Sequence, residues 1–284
     1  MKIIEKAEIK KKLAEFCEIK GGQNKAANTL CGVSPATISQ ILNDKWELIS
    51  DEMWRSIAAQ IGYDARQWTV VETRQFRQMY MILENSQDNA EVYAVIGAAG
   101  CGKSEAIESY VRSHRNVYHL SCGEHWNRRY FMMRLLRCMG IDAAGFSVTD
   151  MVDEAVGAFK RKDAPLLVLD EVEKLPDQVL YFFITLYNNL EDHAGIIICA
   201  TEFLKKRIEN GVRCNRKGYR EIFSRCGRRF LPLPIVNSED IAQICIANGV
   251  SDPAIINTII EDSESDLRCV KKYINNLKKR SIGK

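Results

Sequence analysis

The chain has 284 residues, 46 % of them hydrophobic, and a net charge of +3, which is enough to bury more than one core and excludes a disordered or fibrous protein. The opening MKIIEKAEIKKK mixes both charge signs and lacks the apolar middle of a signal peptide. No apolar run approaches the roughly 18 residues of a membrane helix, so a soluble, cytoplasmic protein without membrane contact is expected.

Residues 1–66 read as helices only. In IKKKLAEFCEIKG the apolar positions Ile9, Leu13, Phe16 and Ile19 share one helical face. The stretch QNKAANTLCGVSPATISQIL that follows has a small apolar face at Ala26, Ala27 and Leu30, a turn at Gly32 and a corner plug at Val33. Ser34-Pro35 then starts a second helix, because a serine oxygen accepts the free first-turn N–H groups and proline's missing N–H costs nothing there. This is the arrangement of a helix-turn-helix DNA-binding domain, with a plain helical bundle as the alternative. Ala36, Thr37, Gln40 and Asn43 fall on the outward side. Ala36 and Thr37 offer little base-reading chemistry, and Gln23 and Asn24 could touch phosphates, so weak or nonspecific DNA contact is expected. A second serine cap, Ser50 before Asp51 and Glu52, opens a further helix with Trp54, Ile57 and Ala58.

The apolar run VYAVI leads into Gly97-Ala-Ala-Gly100-Cys101-Gly102-Lys103-Ser104, a complete G-x-x-x-x-G-K-S phosphate-binding loop followed by a helix-like stretch. The glycines let loop N–H groups point at phosphate oxygens, and the helix adds its positive end. Lys103 would reach the terminal phosphates of ATP, and Ser104 would place its hydroxyl on Mg²⁺. Further on, PLLVLDEVEKL reads as a strand buried on both faces that ends in Asp170-Glu171. Asp170 can hold the magnesium through water, and Glu171 can polarise an attacking water. NVYHL and GIIICAT supply further strands alternating with helices, which gives an α/β fold, an αβα sandwich on a parallel sheet. Trp126, Tyr130, Phe131 and Met133 read as core.

Ten cysteines, scattered singly beside four histidines, read as reduced thiols that mostly fill cores, with no zinc site. The basic charge is concentrated. Between Phe203 and Phe230 ten Lys/Arg face two Glu, and the last seventeen residues hold seven basic side chains and no acid. Lys205, Lys206, Arg207, Arg213, Arg216 and Lys217 are therefore the first candidates for a polyanionic partner, double-stranded DNA, with Arg128 and Arg129 as another set.

On these motifs the chain resembles the AAA+ ATPases from near Trp68 to Lys279. The resemblance implies a polar sensor at Thr201 and an arginine finger in EIFSRCGRRFLPL, Arg225 with Arg228 or Arg229 as fallback, that completes a neighbouring subunit's site. It also implies a second-sensor Arg268 in the helical lid. Three domains follow: 1–66 helix-turn-helix, 67–233 P-loop ATPase core, and 234–284 lid. The combination is similar to the DNA transposition protein B family of Mu-like phages, which implies an ATPase that coats DNA as a ring or helical homo-oligomer and activates a transposase. A helicase loader or initiator would share the same nucleotide residues, and an ATP-regulated repressor remains a third reading.

Overall fold

The computed structural model describes residues 3–61, 63 and 68–282. Two compact units divide the chain, Met1–Trp68 and Thr69–Lys284. No helix among the described residues is long and apolar enough to cross a membrane.

The first unit holds α1 (Ile3–Lys20), α2 (Gln23–Thr29), α3 (Pro35–Leu42) and α4 (Asp51–Gln60). Its core collects Ile9 and Leu13 of α1 with Ala26, Ala27, Leu30, Val33, Ile38, Ile41, Trp54 and Ile57. Phe16, expected inside, is half-buried and Cys17 takes the inward position, the side chain four residues after Leu13 being closer to the face centre. The side chain of Ile19 lies outside the described residues. Between α2 and α3, Gly32 turns the chain at φ +72°. Ser34 caps α3 by accepting from the Thr37 N–H at 3.1 Å, and Ser50 caps α4 by accepting from Met53 at 3.2 Å.

The second unit runs α5 (Arg74–Asn89), β1 (Val92–Ile96), α6 (Lys103–Ser113), β2 (Val117–Ser121), α7 (Arg128–Cys138), α8 (Val148–Lys160), β3 (Leu166–Asp170), α9 (Asp177–Leu180), α10 (Phe182–Leu190), β4 (Gly195–Ala200), α11 (Glu202–Arg213), α12 (Tyr219–Arg225) and β5 (Leu231–Pro232). It ends in α13 (Ser238–Ala247), α14 (Pro253–Ser263) and α15 (Leu267–Ile282). The strands form one parallel sheet ordered β2-β3-β4-β1-β5. Every residue of β3 and β4 is buried, as uninterrupted apolar runs in the middle of a parallel sheet should be.

Strand alternation separates two helical layers. Ala94, Ile96, Leu120, Leu167, Leu169, Ile196 and Ile198 join one core with Phe131, Leu135, Phe159, Leu186 and Ile222 from the α7–α12 side. On the other face α5 lies against the sheet, where a Cβ at Gly195 would overlap the Ser86 backbone. Trp126 and Phe131 are core as expected, whereas Met133 lies at the surface, 37 % exposed. Six of the ten cysteines are buried. Beyond β5, α13, α14 and α15 pack as a separate helical layer around Ile241, Ile244, Ile259, Val270 and Ile274.

Candidate nucleotide site and basic surface

The phosphate loop forms because β1 stops where its partner stops: the Gly97 N–H donates to Ala200 O at 3.1 Å, pinning the loop entrance to the end of β4. Gly102 holds φ +96°, and a Cβ on Gly100 would overlap the Asp266 carboxylate, so the last turn before α6 is open to glycine alone. Lys103 begins α6 and folds back over the loop, its Nζ donating to Gly97 O at 2.8 Å and Ala98 O at 3.0 Å. Ser104 Oγ donates to Asp170 Oδ2 at 2.7 Å, joining two residues 66 positions apart. Asp170 is 2 % exposed at the end of β3.

Glu171 adopts φ +57°, which turns its carboxylate away from the strand direction. Its Oε2 accepts from Ser121 Oγ at 3.1 Å and pairs with Lys174 Nζ at 2.7 Å. The Lys174 bond chiefly, with help from Ser121 and the charge of Arg268, holds this carboxyl below the usual range despite partial burial. His119 reaches within 3.9 Å of Asp170. Burial lowers the His119 pKa, Asp170 opposing, which favours the neutral ring. Thr201 follows β4, half-buried, its N–H donating to Glu173 Oε1 at 3.3 Å.

The C-terminal layer closes on the loop from the other side. Leu267 N–H, at the head of α15, donates to Gly100 O at 2.9 Å. The next residue, Arg268, is exposed. The structure thus brings the loop, Ser104, Asp170, Glu171, Thr201 and the Arg268 turn to the carboxyl ends of the strands, the usual ligand edge of such sheets. Arg225 stands elsewhere, at the end of α12, with Nε donating to Asn188 Oδ1 at 3.0 Å and its guanidinium 5.4 Å from the Tyr187 ring centre. Arg228 and Arg229 are exposed.

The adjacent hydroxyl and carboxylate of Ser104 and Asp170 are hard oxygen donors, a donor set that suits Mg²⁺.

Two basic segments distant in sequence meet. Arg128 and Arg129 at the start of α7 and Lys217 before α12 line a cavity of about 780 Å³ with Asn127, Gln178, Tyr181 and Glu221. Lys206, Arg213 and Arg216 are exposed, and Lys205 lies 3.9 Å from Glu202. Arg207 is a correction to the expected basic surface. It pairs with Asp177 and donates to Tyr219 Oη at 3.1 Å, Glu173 O at 3.2 Å and Leu175 O at 2.9 Å, and so ties α11 to the loop after β3. In the first unit Gln23 and Asn24 are exposed, Gln40 is half-buried, and the Thr37 hydroxyl lies 2.9 Å from that of Ser34.

Sequence reasoning missed Ser121 and Lys174. Ser121 is the register partner of Asp170, so aligning the strands would have found it. Lys174 is three residues after Glu171, on the same 3₁₀ turn of Val172–Lys174.

With this geometry in place, comparison with known proteins gives a direct match. Residues 86–208 match the AAA domain. The matched stretch, under half of the chain, runs from α5 to α11 and holds the phosphate loop, Asp170, Glu171 and Thr201. A 205-residue stretch, 69 % of this chain, is 22 % identical to the Mu-like prophage FluMu DNA transposition protein B of Haemophilus influenzae and covers 70 % of that protein. Among solved structures, the Orc1 protein of Aeropyrum pernix, solved in complex with DNA, aligns with a TM-score of 0.53 at 14 % identity over 77 % of this chain. Cdc6p of Pyrobaculum aerophilum aligns at 0.50 with 16 % identity over 74 %. The chain spans 63 % of the Orc1 chain and 62 % of the Cdc6p chain, and at these identities the likeness is one of fold.

Proposed function

We propose that this protein is a cytoplasmic, ATP-dependent DNA-binding AAA+ ATPase that assembles on duplex DNA and serves transposition by activating a transposase. The observation that carries the ATPase reading is the Ser104–Asp170 hydrogen bond of 2.7 Å, which joins the phosphate loop to the acidic end of β3. The transposition reading draws its support from the similarity to transposition protein B.

In this reading the amides of Gly100, Cys101, Gly102 and Lys103, with the positive end of α6, receive the phosphates. Lys103 exchanges its two loop carbonyls for phosphate oxygens, a move that needs only side-chain rotation. Ser104 and Asp170 would hold the magnesium ion, which when bound neutralises phosphate charge. Glu171 orients and polarises the attacking water once Lys174 releases it. Thr201 and Arg268 contact the terminal phosphates, and Arg225 completes the site of the next subunit. Double-stranded DNA is held through phosphate contacts by the basic groove of Arg128, Arg129 and Lys217, with Lys205, Lys206, Arg213 and Arg216 nearby in sequence. Residues 1–66, as a helix-turn-helix domain, add contacts through Gln23, Asn24, Thr37 and Gln40.

Because Lys103 carries the charge that fixes the phosphates, Lys103→Ala should abolish ATP-stimulated binding to random duplex in a filter-binding titration. Binding equal to wild type would refute the ATP-switch reading.

A further inference from the structure

Helix α7 and the loop after it enclose a groove of about 570 Å³, lined by Arg129, Met133 and Arg137 of α7, by Ile141 and the small residues Ala143 and Gly145 of the loop, and by Met151 of α8. Met133 is 37 % exposed, and both arginines are exposed. The groove is held in shape by its own backbone. Ile141 N–H donates to Leu136 O at 2.9 Å, Phe146 N–H donates to Ala143 O at 3.2 Å, and Arg129 Nη1 donates across to Phe146 O at 2.9 Å.

Among the described residues no carboxylate pairs with either arginine. The one carboxylate of the lining, Asp142, turns to its own loop, its Oδ1 accepting from Ala144 N–H at 3.1 Å. Arg129, with Nη1 engaged, keeps Nε and Nη2 for a second acceptor. The groove therefore presents cation, apolar side chain and cation in a row, with no acidic partner of its own.

We propose that this groove docks an extended segment of a partner protein with the pattern acidic-x-apolar-x-acidic. Side chains four residues apart on a helix step about 6 Å along its axis, and alternate side chains of an extended chain step about 6.7 Å. One such segment can set a carboxylate on each guanidinium and an apolar side chain on Met133 together. Arginine takes a carboxylate through two parallel N–H bonds, and a thioether adapts to the shape of what covers it. The loop's small residues leave room for the middle side chain. Duplex DNA fits this row less well, because a phosphate backbone offers no apolar group to Met133 and Ile141. Arg129 also lines the basic groove with Arg128 and Lys217, so Met133 and Arg137, which belong to this groove alone, separate the two surfaces.

Fluorescence anisotropy of the fluorescein-labelled peptide Gly-Glu-Ser-Leu-Ser-Glu-Gly, titrated with the full chain, tests the proposal. Wild type should bind it with a Kd below about 1 mM. The same peptide with both Glu replaced by Gln should bind about tenfold more weakly, as should Gly-Glu-Leu-Glu-Gly, whose apolar side chain points away from its acids. Arg137→Gln should weaken the first peptide about tenfold and Met133→Ser about threefold, both with the thermal midpoint of wild type. A peptide bound no more tightly than its Gln control, or equally by wild type and both variants, overturns the proposal. Weaker binding of random duplex DNA by Arg137→Gln, with peptide binding unchanged, assigns the groove to DNA and overturns it. Self-association in sedimentation that Met133→Ser abolishes, with no peptide bound by wild type, assigns the groove to a second copy and overturns it equally.

Discussion

Arg207 shows how a charge acquires meaning only from its partners. In the chain it is one of ten basic residues in a strongly positive segment, and nothing local distinguishes it from Lys206. In the fold it is a strut between α11 and the start of α9, sharing Asp177 with the Tyr219 hydroxyl at 2.8 Å. Burial pushes the Asp177 carboxyl up, but the bonds from Arg207 and Tyr219 outweigh it and leave the group below its usual range. A carboxyl depressed in the folded state stabilises above its unfolded pKa, and that stability is lost as pH falls through the folded value. Arg207→Met should therefore lower stability at neutral pH by about 2 kcal/mol, through lost bonds to a charged group. The gap to wild type should narrow below about pH 4, where Asp177 takes up a proton in the unfolded chain. Denaturant melts of both proteins from pH 3 to 8 measure this. A gap that is constant with pH would show that packing, not the ion pair, holds the strut.

Helices and strands were legible in the chain to the extent that their causes are local. The P-loop spacing, the two fully buried runs of β3 and β4, and the Ser34-Pro35 start each depend on a few neighbouring residues, and each stands where it was expected. What the chain concealed are pairings set by tertiary register. Ser121 meets Glu171 because β2 lies beside β3, and Gln78 meets Pro232 because α5 runs back along β1. Nothing local accounts for the glycine inside α11, where a Cβ at Gly211 would overlap the Tyr219 ring that packs on it. At this scale the cap of α3 is testable. Ser34→Ala removes the acceptor for the Thr37 N–H and should cost the first unit about 1 kcal/mol, read as a lower thermal midpoint of residues 1–68. Ser34→Asp should restore it, and equal midpoints for all three proteins would mean the cap contributes nothing.

For the molecule as a whole, the proposed trans role of Arg225 makes hydrolysis a property of the assembly. The guanidinium rests on Tyr187 and Asn188 at the surface of α10, positioned by its own subunit before any partner arrives. Mixing Arg225→Ala with Glu171→Gln should therefore yield more turnover than either protein alone, because some interfaces pair an intact finger with an intact carboxylate. A phosphate assay across mixing ratios reads this, and no recovery at any ratio would refute the trans arrangement. Contacts made mainly to DNA phosphates release counterions, so affinity should fall steeply, with a log–log slope of several units, as salt rises. Replacing Arg128, Arg129 and Lys217 together by Ala should flatten that slope by about 2 to 3 units, one for each phosphate left without its basic partner. An unchanged slope would take the groove out of the DNA path.

The bond between Leu267 and Gly100 ties the head of α15 to the phosphate loop. Helix α15 has 16 residues and is about 24 Å long, so a tilt set at one end is magnified along its length. Fuel arriving at the loop would swing a lever whose far arm carries Lys278 and Lys279, and the presence or absence of a triphosphate would be read out as the placement of charge about two nanometres away.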